Sequence, residues 1–170
     1  SLLSAREVPP EKGDTEFASL RAAYAALPQD TLAGIETLVA IHSYTYSRGL
    51  VDPDLFTPEQ AAQVPPVRQR LIRVNPKNGR KALYVGSHAS HIESMPLAAG
   101  RKMLQDLLAA ATQLRFVYRH RWRQFDLVIW DNRAALHRGC GWDKARYRRV
   151  MHRTTVAGER STLDEVMQPA

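Results

Sequence analysis

Leu127-Val128-Ile129-Trp130-Asp131-Asn132-Arg133-Ala134-Ala135-Leu136-His137, followed by Arg148-Arg149-Val150-Met151-His152-Arg153, is the stretch that decides the fold. The first part reads as an apolar strand over 126–130, a short turn through Asn132, and a histidine. The second reads as a strand over 148–156. Side chains alternate faces along an extended chain, so Arg149, Met151 and Arg153 share one face, and Arg148, Val150, His152 and Thr154 the other. If the first face points inward, two guanidinium groups must meet anions, because burying an uncompensated charge is costly. If it points outward, it is an ordinary solvated basic strand.

Working outward, Ser1 to Val8 reads as a strand met in mid-course, with no initiator Met, and the expectation is a chain that begins inside a larger domain. Pro9 to Asp14 is a turn, and Thr15-Glu16-Phe17 resumes extended chain. Apolar spacing predicts a helix over 18–27, stopped by Pro28, and a second one capped by Asp30 or Thr31 and running toward Val39. Tyr44 to Pro66, with four prolines, reads as an irregular lid or insertion. Val67 to Val74 and Lys81 to Val85 form a hairpin about Asn75-Pro76-Lys77-Asn78-Gly79. Gly86 to Ser94 reads as a polar loop carrying His88 and His91. Pro96 to Leu114 is the strongest helix, with Leu97, Met103, Leu104, Leu107, Leu108 and Ala111 on one side. Arg115 to Trp122 is a further strand. The boundaries expected are a domain over 1–158 and a polar tail over 159–170. Strands without regular βαβ alternation predict a mainly β fold with flanking helices, an antiparallel, jelly-roll-like sheet pair.

Composition narrows the function classes. With 170 residues and 44% hydrophobic composition the chain can bury one core, and no apolar run is long enough to span a membrane. Its single cysteine, Cys140, excludes an internal disulfide and fits a reducing compartment, so the expected location is cytoplasmic. The net charge of +7 is concentrated late in the chain: residues 115–153 hold eleven Arg or Lys against three Asp, together with all three tryptophans. Arg119 to Arg123 interleave basic and aromatic residues, as a nucleic-acid surface or an exposed basic strand would. There are no zinc-type Cys pairs, no His-Glu-x-x-His, no phosphate-binding glycine loop and no nucleophile elbow. His137 is a candidate metal ligand or base; the plainer reading is a structural histidine. His88 and His91 suit a metal or a substrate anion, or simply a polar loop.

Gly13-Asp14-Thr15-Glu16-Phe17, then Trp130-Asp131-Asn132-Arg133, His137, Arg149 and Arg153, in that order, resemble the TauD/TfdA family of Fe(II)- and 2-oxoglutarate-dependent dioxygenases. Gly79-Arg80-Lys81, the 86–93 loop, Ala111-Thr112-Gln113 and Phe116 to Trp122 place the similarity in the 2,4-dichlorophenoxyacetate dioxygenase branch. The resemblance covers nearly the whole chain. It implies a double-stranded β-helix (jelly roll), incomplete here on its N-terminal side. It also implies an iron held by two histidines and a carboxylate, with 2-oxoglutarate and O₂ as cosubstrates and ascorbate as an aid. By resemblance, His137 is the distal iron histidine, and Arg149 and Thr15 hold the far carboxylate of 2-oxoglutarate. Trp130 lines the pocket, Arg153 anchors an acidic group nearby, and His88 and His91 lie near the substrate. The implied reaction converts 2-oxoglutarate to succinate and CO₂ while hydroxylating a small acid. On a phenoxyacetate the hydroxylated carbon lies beside the ether oxygen, and the product breaks down to a phenol and glyoxylate. The implied partner is a small acidic substrate, with neither nucleic acid nor membrane, and homo-oligomerisation left open.

The sequence departs from the family pattern in three ways, one of them the variable stretch after His137 that holds Cys140 and Trp142 and could shape substrate access. The His-x-Asp/Glu pair that supplies the other iron ligands stands upstream of Gly-Asp-Thr in the family, and here the first histidine is His42. A piece of a larger enzyme and an inactive remnant both fit that departure. Phe125 also stands where the family often has glycine. Three other readings remain: the same chemistry on taurine, another sulfonate or an alkyl sulfate; a non-enzymatic basic binding module; and the remnant.

Overall fold

The computed structural model describes residues 1–157 and 162–163. In chain order the strands are β1 (Leu2–Glu7), β2 (Thr15–Ser19), β3 (Val39–His42), β4 (Val67–Arg70), β5 (Ile72–Val74), β6 (Lys81–Leu83), β7 (Ala89–Ile92), β8 (Val117–His120), β9 (Leu127–Ile129), β10 (Ala135–Gly139) and β11 (Val150–Thr154). The helices are α1 (Leu20–Ala25), α2 (Gln29–Ile35), α3 (Tyr44–Gly49), α4 (Pro58–Ala62) and α5 (Leu97–Ala111).

Two antiparallel three-stranded sheets carry the site. In one, β1 lies between β11 and β9; in the other, β2 lies between β10 and β8. Both central strands come from the first nineteen residues and all four flanking strands from beyond residue 116, so the ends of the chain are knitted together. The sheets face one another: Arg149, just before β11, reaches Gly13 and Thr15, and the Trp130 ring at the end of β9 lies against Phe17 and His137. This is the mainly β, jelly-roll architecture expected, without a closed barrel among the described residues.

The apolar core lies in the middle of the chain. Leu20, Ile35, Leu71, Leu83 and Ile92 are fully buried, each worth about 2 kcal/mol of transfer free energy. Helix α5 buries Gly100, Leu104, Leu107 and Ala111, one stripe at helical spacing. It lies so close to β7 that a Cβ on Gly100 would stand 3.0 Å from the Ile92 backbone nitrogen. This core supports the third sheet, β4-β3-β7, and the β5–β6 hairpin.

Several expected boundaries shift. The second helix is capped at Pro28, not at Asp30 or Thr31, and ends at Ile35; Val39 to His42 leaves it to pair with β4 and β7. The segment 44–66 is not wholly irregular. It holds α3, and α4 with a Thr57–Gln60 capping box and Pro58 at its start. The 86–94 loop contains β7, a nearly buried strand whose alternation is hidden by Ser90 and His91. His137 sits within a strand, β10, because Asp131 to Ala134 turns the chain back onto β2; the helix-favouring Ala134-Ala135-Leu136 disguises that pairing. The expected tail lies outside the described residues except for Thr162 and Leu163. Thr162 is buried, donating to Gln69 and accepting from the Arg70 amide.

Candidate active site

Gly13 begins the site. Its φ of 69° is left-handed, and a Cβ there would stand 2.8 Å from Pro9 Cγ and 3.4 Å from Arg149 Cδ. Glycine therefore lets the Arg149 side chain pass close to the backbone. Arg149 Nε donates to the Gly13 carbonyl at 2.9 Å, Nη2 approaches Thr15 Oγ1 at 3.4 Å, and the guanidinium lies over the Trp142 ring, 5.5 Å from its centroid. None of these contacts is a carboxylate, and among the described residues no carboxylate pairs with Arg149. Burial pulls its pKa below the ordinary arginine value. Arg149 is thus a partly desolvated cation held in place by neutral groups, which leaves it able to take an anion.

Thr15 heads β2 and is 2% exposed. Its hydroxyl oxygen also accepts from Trp122 Nε1 at 2.9 Å. Two positions along β2, Phe17 pairs with His137 of β10. The His137 imidazole is flanked by the Trp130 ring at 4.9 Å and the Phe17 ring at 6.4 Å between centroids. Its pKa is lowered, first by burial and then by the positive charge of Arg153, so at neutral pH the ring is uncharged and keeps a lone pair for a metal. Trp130 Nε1 donates to Asn132 Oδ1 at 2.6 Å, which fixes the indole as a wall.

The opposite face of β2 is fastened separately. Glu16 is 7% exposed and accepts from Arg119 Nε and Nη2 at 3.0 and 2.5 Å and from Arg138 Nε at 2.6 Å. These three residues form one cross-strand row, Arg119–Glu16–Arg138. Part of the basic character that resembled a nucleic-acid surface is therefore engaged with Glu16, though both arginine side chains remain exposed.

Arg149 is brought to Thr15, and the Trp130 ring and the charge of Arg153 to His137, which pairs two positions further along β2. His88 and His91 are not in contact with them. His88 Nδ1 pairs with Ser47 Oγ at 2.6 Å beside the Tyr44 ring, and His91 Nδ1 pairs with Ser90 Oγ at 2.9 Å. Burial and the nearby Arg48 lower the His88 pKa, so at neutral pH this histidine would meet a carboxylate as a neutral N–H donor. The sequence reading missed Trp122, the Gly13 carbonyl and Phe17 as parts of the site. The signal was the register of β8 on β2, which the spacing of residues does not reveal.

Among the described residues, no three His, Cys, Asp or Glu side chains are grouped to hold a metal. His137 offers one donor, so the residues present do not by themselves fit a catalytic iron. The Arg149 guanidinium and the Thr15 hydroxyl, side by side, are donors of the kind that suit a carboxylate.

Known proteins are similar to this chain over nearly its whole length. The family model described as "Taurine catabolism dioxygenase TauD, TfdA family" matches residues 1–155. The alpha-ketoglutarate-dependent 2,4-dichlorophenoxyacetate dioxygenase of Cupriavidus pinatubonensis is 48% identical over 156 residues, covering 92% of this chain and 54% of that protein. The (S)-phenoxypropionate/alpha-ketoglutarate-dioxygenase of Sphingobium herbicidovorans is 36% identical over 165 residues, covering 94% and 57%. The crystal structure of AAD-2, in complex with Mn(II) and N-oxalylglycine, superposes with a TM-score of 0.89 at 50% identity, covering 95% of this chain and 64% of that one. The chain spans about half the length of the curated relatives it matches.

Proposed function

The chain belongs to the TauD/TfdA dioxygenase family, and on that premise we propose that the full-length protein is a 2-oxoglutarate-dependent dioxygenase. Its substrate is a small carboxylic acid of the phenoxyacetate type, which it hydroxylates while 2-oxoglutarate is converted to succinate and CO₂. The observation that carries this reading is Arg149, a partly buried guanidinium with no carboxylate partner among the described residues, poised beside the Thr15 hydroxyl.

In this reading the N–H groups of Arg149 not engaged by Gly13 and Thr15 grip the far carboxylate of 2-oxoglutarate, and the Thr15 hydroxyl donates to it. Trp142 backs the guanidinium, and Phe17 and Trp130 exclude water from the adjoining space. Arg153 supplies a second positive charge near His137. His88 and His91 belong to a separate polar cluster and are assigned to the substrate's acid group by resemblance alone. Iron, when bound, supplies the oxygen activation that the family's reaction requires. Of its ligands this chain carries His137, and no step through the metal is derived from one donor. The phenoxy-acid relatives support the substrate class.

The test is product analysis. The full-length protein with Fe(II), 2-oxoglutarate and 2,4-dichlorophenoxyacetate should yield succinate and 2,4-dichlorophenol in equal amounts. Turnover of taurine or an alkyl sulfate but not of phenoxyacetates would move the substrate to the sulfur acids. Undiminished turnover in His137→Ala would overturn that residue's role, and no succinate with any acid would overturn the reading.

A further inference from the structure

We infer that Trp122 is a positioning residue for the cosubstrate: its indole N–H occupies the Thr15 oxygen and leaves the Thr15 hydroxyl hydrogen for a ligand oxygen held by Arg149. This rests on the cosubstrate reading above and extends it to a residue outside the clamp.

A threonine hydroxyl has one hydrogen and two acceptor lone pairs, while an indole and a guanidinium can only donate. Thr15 Oγ1 receives Trp122 Nε1 at 2.9 Å and Arg149 Nη2 at 3.4 Å. Both lone pairs are thereby engaged, and the hydroxyl hydrogen must point away from both donors. No acceptor for that hydrogen is present among the described residues, and at 2% exposure Thr15 has little access to water. A buried donor without an acceptor is costly. A ligand oxygen placed beside Arg149 would satisfy it, whereas a ligand N–H there would meet only further donors. The arrangement therefore favours a carboxylate over the corresponding amide.

Trp122 is itself held firmly. Its ring packs edge-on against His120, with centroids 4.4 Å apart and planes at 80°. His120 lies opposite Thr15 in the β2–β8 register and pairs through Nε2 with Asp126 Oδ2 at 3.1 Å. Asp126 also accepts from the Arg123 amide at 2.9 Å. The same turn that joins β8 to β9 thus fixes the indole at the head of β2.

The test measures binding, not turnover, in the full-length protein with Mn(II). By calorimetry, Trp122→Phe should weaken 2-oxoglutarate about fivefold, the worth of one neutral hydrogen bond, and leave the weaker binding of its 5-amide unchanged. In a Thr15→Val background the same Trp122→Phe change should alter 2-oxoglutarate affinity less than about twofold, because the hydroxyl it orients is gone. Equal losses with and without the hydroxyl, or no loss in either, would overturn the inference. As a readout independent of whether Trp122→Phe folds well, the Trp122 indole N–H resonance of the otherwise unaltered protein should shift when Thr15 is changed to valine and stay in place for Thr15→Ser. An unmoved resonance in Thr15→Val overturns the contact. Arg149→Met separates the two levels. If it weakens 2-oxoglutarate while Trp122→Phe does not, only the Trp122 role falls; if it binds as tightly as the parent, the cosubstrate reading falls and this inference with it.

Discussion

Acid should destabilise this protein through His42, by an amount that can be worked from its surroundings. His42 closes β3, its imidazole stacks on Tyr84 at 5.4 Å and 17°, and its Nε2 is buried with no hydrogen-bond partner among the described residues. Burial, and secondarily the nearby His88, push its pKa down to about 4 from an ordinary 6.5. The sign follows from proton linkage. Between pH 6.5 and about 4 the unfolded chain takes up a proton that the folded chain refuses, so stability present above pH 6.5 is lost as the pH falls. That gap is worth about 3 kcal/mol, a large share of the stability of an ordinary domain. Below about pH 4 this group adds no further loss. His42→Phe keeps a stacking ring and removes the titration. In urea unfolding between pH 7 and 4.5, the parent should lose about 2–3 kcal/mol more than the variant. His88, whose pKa burial also lowers, leaves a residual slope common to both. Parallel pH profiles would refute the reasoning.

Other outcomes follow from single positions. Phe125 has φ of 72° and is 71% exposed, so Phe125→Gly should relieve left-handed strain at little cost in burial and raise stability by about 0.5–1 kcal/mol; a lower melting temperature would contradict this. Gly13→Ala should cost about 2 kcal/mol, from its positive φ and the clash with Pro9, and should also weaken 2-oxoglutarate by displacing Arg149, both read by melting and calorimetry. Glu16→Gln should lower the melting temperature by a few degrees at pH 7. The Glu16 carboxylate pKa is held down by the hydrogen bonds of Arg119 and then of Arg138. Its contribution is therefore present above the unfolded pKa of about 4.5 and lost as the pH falls through the lower folded value, and the variant should lack that part of the acid slope.

Much of the site was legible because its chemistry is carried by unusual residues on strands. Arg149 and Arg153 on one face, and a histidine following Trp130, suggested either an inward cationic wall or a solvated basic strand; the structure draws Arg149 to Thr15, while Arg153 stays exposed with its charge near His137. The fold class followed from strands without helical crossovers. What escaped depended on long-range pairing. β10 reads locally as helix-prone, β3 reads as the continuation of α2, and β7 as a loop; β10 becomes a strand by pairing with β2, β3 by pairing with β4 and β7, and β7 by pairing with β3. Trp122 was read with its basic neighbours as surface, since only the β8–β2 register brings its indole to Thr15. Glu16, an acidic residue in a strand, gave no sign that Arg119 and Arg138 would bury it.

The central claim is that the Gly13–Thr15–Arg149 cleft is a carboxylate clamp. The most direct measurement is the 2-oxoglutarate dissociation constant of Arg149→Gln in the metal-loaded full-length protein, with folding checked by circular dichroism. The account predicts weakening of at least about 30-fold with the fold intact, since removing one partner of a partly desolvated charge pair costs 2 kcal/mol or more. An unchanged dissociation constant would contradict it.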